Sequence, residues 1–200
     1  MDIKWHGKTC FSLKEKGVNV VINPHKDSGA PKSGIVISSL EEGTFEFDEE
    51  TKVFDWPGEY EVEGVPLVGV RAWTKSKTKE EQEGSEGEPT IIFYFEVAGV
   101  KCCHLGDLGH VLTSDMVKDI GDVDILMMKL GETSNLDAKK TAEVIESIDP
   151  RVLIPMGSGN FSEVLKEVGA GDLAPQDVFT VKSASDLPDD RREYVILNKA

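Results

Sequence analysis

Histidine, cysteine and long apolar runs are all scarce in this chain, which has four histidines and three cysteines in 200 residues. Each shortage excludes something. Cys10 stands alone and Cys102 and Cys103 are adjacent, which gives neither a disulfide framework nor a CxxC pair, so all three are expected in the core of a protein from a reducing compartment. Apolar runs such as "ILMM" fall far short of the roughly 20 residues that cross a bilayer. The opening "MDIKWHGKTCF" carries no basic stretch followed by an apolar one, so no secretory signal is expected. Positive charge is short as well, with 22 Lys and Arg against 37 Asp and Glu and a net charge of −15. A surface of that sign repels phosphodiester backbones and anionic lipids, so neither nucleic acid nor membrane is expected as a partner, and the expected location is the cytoplasm.

What is present suits a globular α/β protein. Residues 1–200 are expected to form one domain, long enough to bury a core. The charged, aperiodic "TKSKTKEEQEGSEGEP" predicts a mobile loop at about 75–89. The first half reads as short strands ("DIKWHG", "CFSLKEKG", "NVVINP", "GIVISS") and then two long hairpin-like stretches, "KVFDWPGEYEVEGVPLVGVRAW" and "PTIIFYFEVAGVKCCHLGD". The second half alternates helix and strand. "TSDMVKDIGDV" predicts a short helix with a Thr or Ser cap. "LDAKKTAEVIESIDP" puts Ala138, Thr141, Ile145 and Ile148 on one helical face, with Asp137 as N-cap and Pro150 past the end. "NFSEVLKEVG" predicts a third helix, with Asn160 and Glu163 spaced as a capping box and Gly169 as its stop.

Several features could carry chemistry. "GIVISSLEEGTF", over 34–45, is a buried strand that ends at Ser38 and Ser39. With His25 or His104 near, either serine could be a nucleophile, but no G-x-S-x-G elbow is present and no third group is assignable. The small residues of "GSGNFSE", from Gly157 to Glu163, open a helix and could cradle an anion, although loops that merely cap a helix look the same. Glu41, Glu42, Glu46, Asp48, Glu49 and Glu50 form an acidic run, read as a solvated face.

Taken in order, "KWHGKTCFSL", "VVINP", "WPGEYEVEGVPLVGV", "CCHLGDLGHVLT", "IGDVDILMMKLG" and "LDAKKTAEVIESIDPRVLIPM" resemble successive parts of a small metallo-β-lactamase-fold protein. The branch they resemble includes L-ascorbate-6-phosphate lactonase. The resemblance spans nearly the whole chain. It implies a four-layer αβ/βα sandwich, two mixed sheets face to face with helices outside, and metals at one edge held by strand-end loops. It also implies hydrolysis by metal-activated water, with typically three protein ligands for a catalytic zinc.

The ligand positions implied by the resemblance are largely altered. Where the family carries His-x-His-x-Asp-His, this chain places Leu40, Glu42, Thr44 and Phe45, or, in a register slipped by one, Ser39, Glu41, Gly43 and Thr44. The family's first histidine falls on Lys8, a later His-Asp on Thr74 and Lys75, and the last histidine on Gly157. The family's Asp-Pro aspartate is Asn23, and Asp107 alone keeps its expected ligand type. Lys8, Leu40, Glu42, Thr74 and Gly157 are therefore expected to line the cleft. The first reading is a non-catalytic binding, assembly or regulatory protein with no metal cofactor, which would bind a small anionic ligand or a protein partner such as a catalytic paralogue and could be homo-oligomeric. The alternative is a metal-dependent hydrolase, lactonase- or phosphoesterase-like, with Zn or Mn in a site rebuilt from Asp107 with His104, His110 or His25.

Overall fold

A computed structural model describes residues 1–39, 47, 49–74, 87–157, 161, 165–166, 169–170 and 173–200. Five strands open the chain: β1 (Asp2–Trp5), β2 (Phe11–Glu15), β3 (Val18–Ile22), β4 (Ile35–Ile37) and β5 (Lys52–Phe54). They lie side by side in sequence order, antiparallel from β1 to β3 and parallel from β3 to β5. A second sheet takes β6 (Gly58–Val62), β7 (Val65–Trp73), β8 (Pro89–Val97), β9 (Val100–His104), β10 (Ile125–Lys129) and β11 (Val152–Met156). Its first four strands are an antiparallel meander, and β9, β10 and β11 run parallel. Near the end of the chain β12 (Phe179–Thr180) pairs with β1, and β13 (Glu193–Tyr194) pairs with β11.

The residue patterns explain these placements. The four residues Ile125–Met128 of β10 and all five of β11 are buried, as parallel strands covered on both faces require. Ile3, Phe11, Leu13, Ile22 and Ile37 of the first sheet meet Phe93, Phe95, Met127 and Ile154 of the second in one core, each fully buried. Two helices, α1 (Ser114–Ile120) and α2 (Ala138–Ile148), cover the outer face of the second sheet, where Ile120, Val144 and Ile145 pack with Ile92, Cys103 and Leu153. Thr113 caps α1 by accepting from Met116 N, and Asp137 caps α2 by accepting from Lys140 N at 2.9 Å. The buried face of α2 is Thr141, Val144, Ile145 and Ile148.

Two mixed sheets face to face with helices outside is the expected sandwich. Among the described residues both α-helices lie against the second sheet. The outer face of the first sheet carries instead a small cluster in which Cys10, Val21 and Val36 pack with Ala30 of the 24–34 loop. Cys10, Cys102 and Cys103 are buried thiols as expected. Burial pushes Cys10 up to about 12 and raises the other two further, so none is a thiolate at neutral pH. Most of the 75–89 loop, the helix expected over "NFSEVLKEVG" and the Glu41–Asp48 part of the acidic run lie outside the described residues.

Candidate functional site

Six chain segments end at one edge of the sandwich: the β1–β2 turn, the ends of β3, β4, β9 and β10, and the end of β11. Between them lies a cleft of about 330 Å³ lined by Lys8, Thr9, Asn23, Asp107, Lys129 and Gly157, with Gly106 and Thr133. The turn carrying Lys8 needs positive φ at Gly7 (92°) and at Lys8 itself (51°). It is held by two bonds to the Lys8 carbonyl, from Trp5 Nε1 and from Gly157 N, both at 2.9 Å. The first and last family ligand positions thus meet, although lysine and glycine occupy them. A histidine would not fit at 157 on this backbone. Gly157 has φ 108°, and a Cβ there would stand 2.3 Å from Thr133 Oγ1.

Below the rim is a buried polar floor. Asn23, also at positive φ, accepts from Ser39 N at 2.7 Å and donates to Thr9 Oγ1 at 3.1 Å. An aspartate could make the first bond, and the second only if the Thr9 hydroxyl turned to donate to it. Ser39 is fully buried, and its carbonyl accepts from Thr90 Oγ1 at 3.0 Å and from Ile91 N at 3.1 Å. It is part of the scaffold rather than an accessible nucleophile.

Asp107 stands on the wall. Lys129 Nζ donates to its Oδ1 at 2.6 Å and Asn135 Nδ2 to the same oxygen at 2.8 Å, while Asp107 N donates to Thr90 Oγ1 at 3.3 Å. The Asp107 and Lys129 side chains are 28% and 22% exposed, so the pair is partly shielded and reachable from the cleft. His104 lies under the floor, fully buried. Its Nδ1 accepts from Gly106 N at 3.1 Å, and its Nε2 is 3.0 Å from the Thr9 carbonyl. Burial, aided by the Lys129 charge, pushes His104 down to about 4, so it is neutral at physiological pH. His110 is engaged through both nitrogens, with Nε2 accepting from Trp73 N at 3.2 Å and Nδ1 lying 2.8 Å from the Val111 carbonyl.

The structure therefore brings Lys8, Asp107 and Gly157 together, while Leu40 and Glu42 lie outside the described residues. Thr74 pairs with Glu88 at the end of β7 and does not line the cleft. His104 and His110 do not gather with Asp107. Among the described residues no three of His, Cys, Asp and Glu are grouped so as to hold one metal ion, and His25 supplies no exception. Sequence reasoning missed Lys129, Asn135 and Thr9. The signal for the first was a lysine ending the apolar strand "ILMMK"; Asn135 gave none, because it reaches the site by a loop.

The chain matches the family described as the beta-lactamase superfamily domain over residues 2–157, and it belongs to that family. Similar proteins share most of its length. A UPF0173 protein of Pyrococcus abyssi is 27% identical over 183 residues, 80% of this chain and 85% of the relative. A UPF0173 metal-dependent hydrolase of Methanopyrus kandleri is 24% identical over 200 residues, 82% of this chain and 86% of the relative. A proposed Zn-dependent hydrolase of the metallo-β-lactamase superfamily from Thermotoga maritima, known as a crystal structure, is 28% identical, with 98% of both chains covered and a TM-score of 0.78.

These likenesses overturn the first expectation from the sequence, a non-catalytic protein without a metal cofactor. The Methanopyrus relative, which covers 82% of the chain, is named a metal-dependent hydrolase, and the Thermotoga structure is that of a proposed Zn-dependent hydrolase. Substituted ligand positions do not by themselves mean lost chemistry when the whole scaffold around them is shared with proteins named as hydrolases. The donors among the described residues do not by themselves make a metal site: there Asp107 is the one carboxylate lining the cleft, and its Oδ1 is held by Lys129. Glu41, Glu42, Glu46 and Asp48 lie outside the described residues.

Proposed function

We propose that this chain is a hydrolase of the kind its relatives are named for, and that it cleaves a lactone or phosphoester carrying an anionic group in the cleft around Asp107. The carrying observation is Asp107 itself. It is fixed at the cleft wall by Lys129 and Asn135, in a chain 28% identical across its length to a proposed Zn-dependent hydrolase. In this reading Lys8 and Lys129 draw the anionic group of the substrate into the cleft, and Asp107 orients the attacking water and takes its proton. Gly157 and Gly106 keep the walls thin enough for substrate to approach the backbone.

The test is turnover of a panel of lactones, phosphomonoesters and phosphodiesters by tag-free protein supplied with Zn²⁺ or Mn²⁺. Metal-stimulated hydrolysis is expected. Asp107→Asn should lower kcat by about 10²-fold or more, and Lys8→Ala should act mainly on KM. No turnover with either ion, or an Asp107→Asn variant as active as the parent, would overturn the reading.

A further inference from the structure

A second concave site lies away from the cleft, on the outer face of the first sheet, where no described helix covers the strands. Strand pairing builds its floor. Lys4 stands opposite Ser12, and Lys14 opposite Asn19. Residues so placed share one face of a sheet. The 24–34 loop adds Pro31 and Lys32 as a wall, and it is tied down by Asn19 Nδ2 donating to the Lys32 carbonyl at 2.9 Å. The groove so formed holds about 600 Å³, the size of small-molecule sites.

Two observations give it a ligand preference. Three lysines line it, Lys4, Lys14 and Lys32, in a chain whose acidic residues outnumber its basic ones 37 to 22. Asp2, the acidic side chain in the lining, accepts from Thr180 Oγ1 at 2.7 Å. An adjoining depression shares Asp2 and Lys14 and adds Lys16 and Lys182, with Glu15 paired to the terminal ammonium of Met1. The second observation concerns unmade hydrogen bonds. Among the described residues three buried side-chain polar atoms have no partner, and two of them, His6 Nδ1 and Asn19 Oδ1, belong to residues lining this groove. His6 is 5% exposed, and its Nε2 lies 2.7 Å from Ser12 Oγ. When that nitrogen accepts the serine proton, Nδ1 carries a hydrogen to donate. Burial and the charges of Lys4 and Lys199 lower the imidazole's pKa, which keeps it in this neutral form. Leaving such atoms unpaired is costly, and a ligand that pairs them is favoured accordingly.

We propose that this groove is a binding site for a phosphorylated small molecule, with the phosphate held by Lys4, Lys14 and Lys32 and accepting from His6 Nδ1, and with a hydroxyl or amino group of the same ligand donating to Asn19 Oδ1. The concave shape suits a compact ligand, and a large polyanion would also meet the acidic remainder of the surface. The site is independent of the hydrolytic cleft.

Pyrophosphate at low salt is the probe, with binding followed by calorimetry and by the ¹⁵N resonances of the His6 ring. The protein should bind it, and the His6 resonances should move on addition. The double variant Lys4→Glu/Lys14→Glu, both exposed positions, should weaken the binding that moves the His6 resonances by about tenfold or more, while Lys139→Ala, an exposed position on α2, should leave it unchanged. Absence of binding would overturn the proposal. So would a His6-reported affinity that survives Lys4→Glu/Lys14→Glu.

Discussion

At the scale of single residues, the site is governed by backbone that only certain side chains tolerate. Gly157 is the clearest case, with φ 108° and Thr133 Oγ1 standing where its Cβ would be. Gly157→Ala should cost about 1–3 kcal/mol in a urea titration. Gly157→His, which writes the family ligand back in, should cost at least as much without raising zinc affinity. Gly106 is bound by the same logic, since a Cβ there would meet the Ile91 carbonyl at 2.8 Å. Asn23 could be read from the sequence only as a lost aspartate. The structure shows an amide that accepts on one side and donates on the other. That dual use needs a three-dimensional partner list, which is why sequence reading stopped at the substitution.

Among the elements, the helices were the most legible. Asp137 and Thr113 cap where their side chains and the apolar spacing predicted, because capping is decided within four residues. The tail "VFTVKSASDLPDDRREYVILN" reads as two strands, which are β12 and β13, but their places at the sheet edges were not legible, because each is two residues long and is defined by the strand it joins. The 184–189 segment that leads to β13 is held by Arg151, just before β11. Its guanidinium donates to the carbonyls of Pro188 at 2.9 Å and Ala184 at 2.7 Å, and to Asp124 Oδ1 at 3.1 Å. With the Arg151 side chain 23% exposed, Arg151→Ala would leave several part-buried acceptors unpaired. It should lower stability by about 2–4 kcal/mol by urea midpoint, whereas Arg192→Ala should cost less, because the carboxylates it meets, Glu146 and Asp149, are 71% and 85% exposed.

For the molecule as a whole, the acid limb of stability is set in part by its buried imidazoles. His104, lowered to about 4 by burial, binds a proton in the unfolded chain before it does in the folded one, and His6 is shifted in the same direction. Folding free energy should therefore be fully present above the ordinary histidine range and decline as pH falls from about 6.5 toward 4, by about 3 kcal/mol for His104 alone. Urea midpoints across that interval, with the His104 ring followed by ¹⁵N NMR, check both magnitude and assignment. The sandwich was legible because many segments agreed in order. The chemistry was not, because it depends on strand ends that meet only in space. The Lys8 carbonyl and the Gly157 amide close the cleft between nearly opposite parts of the sequence. During synthesis, then, the cleft cannot exist until β11 has left the ribosome and docked, and a nascent chain has no such site until the sandwich around the cleft is almost complete.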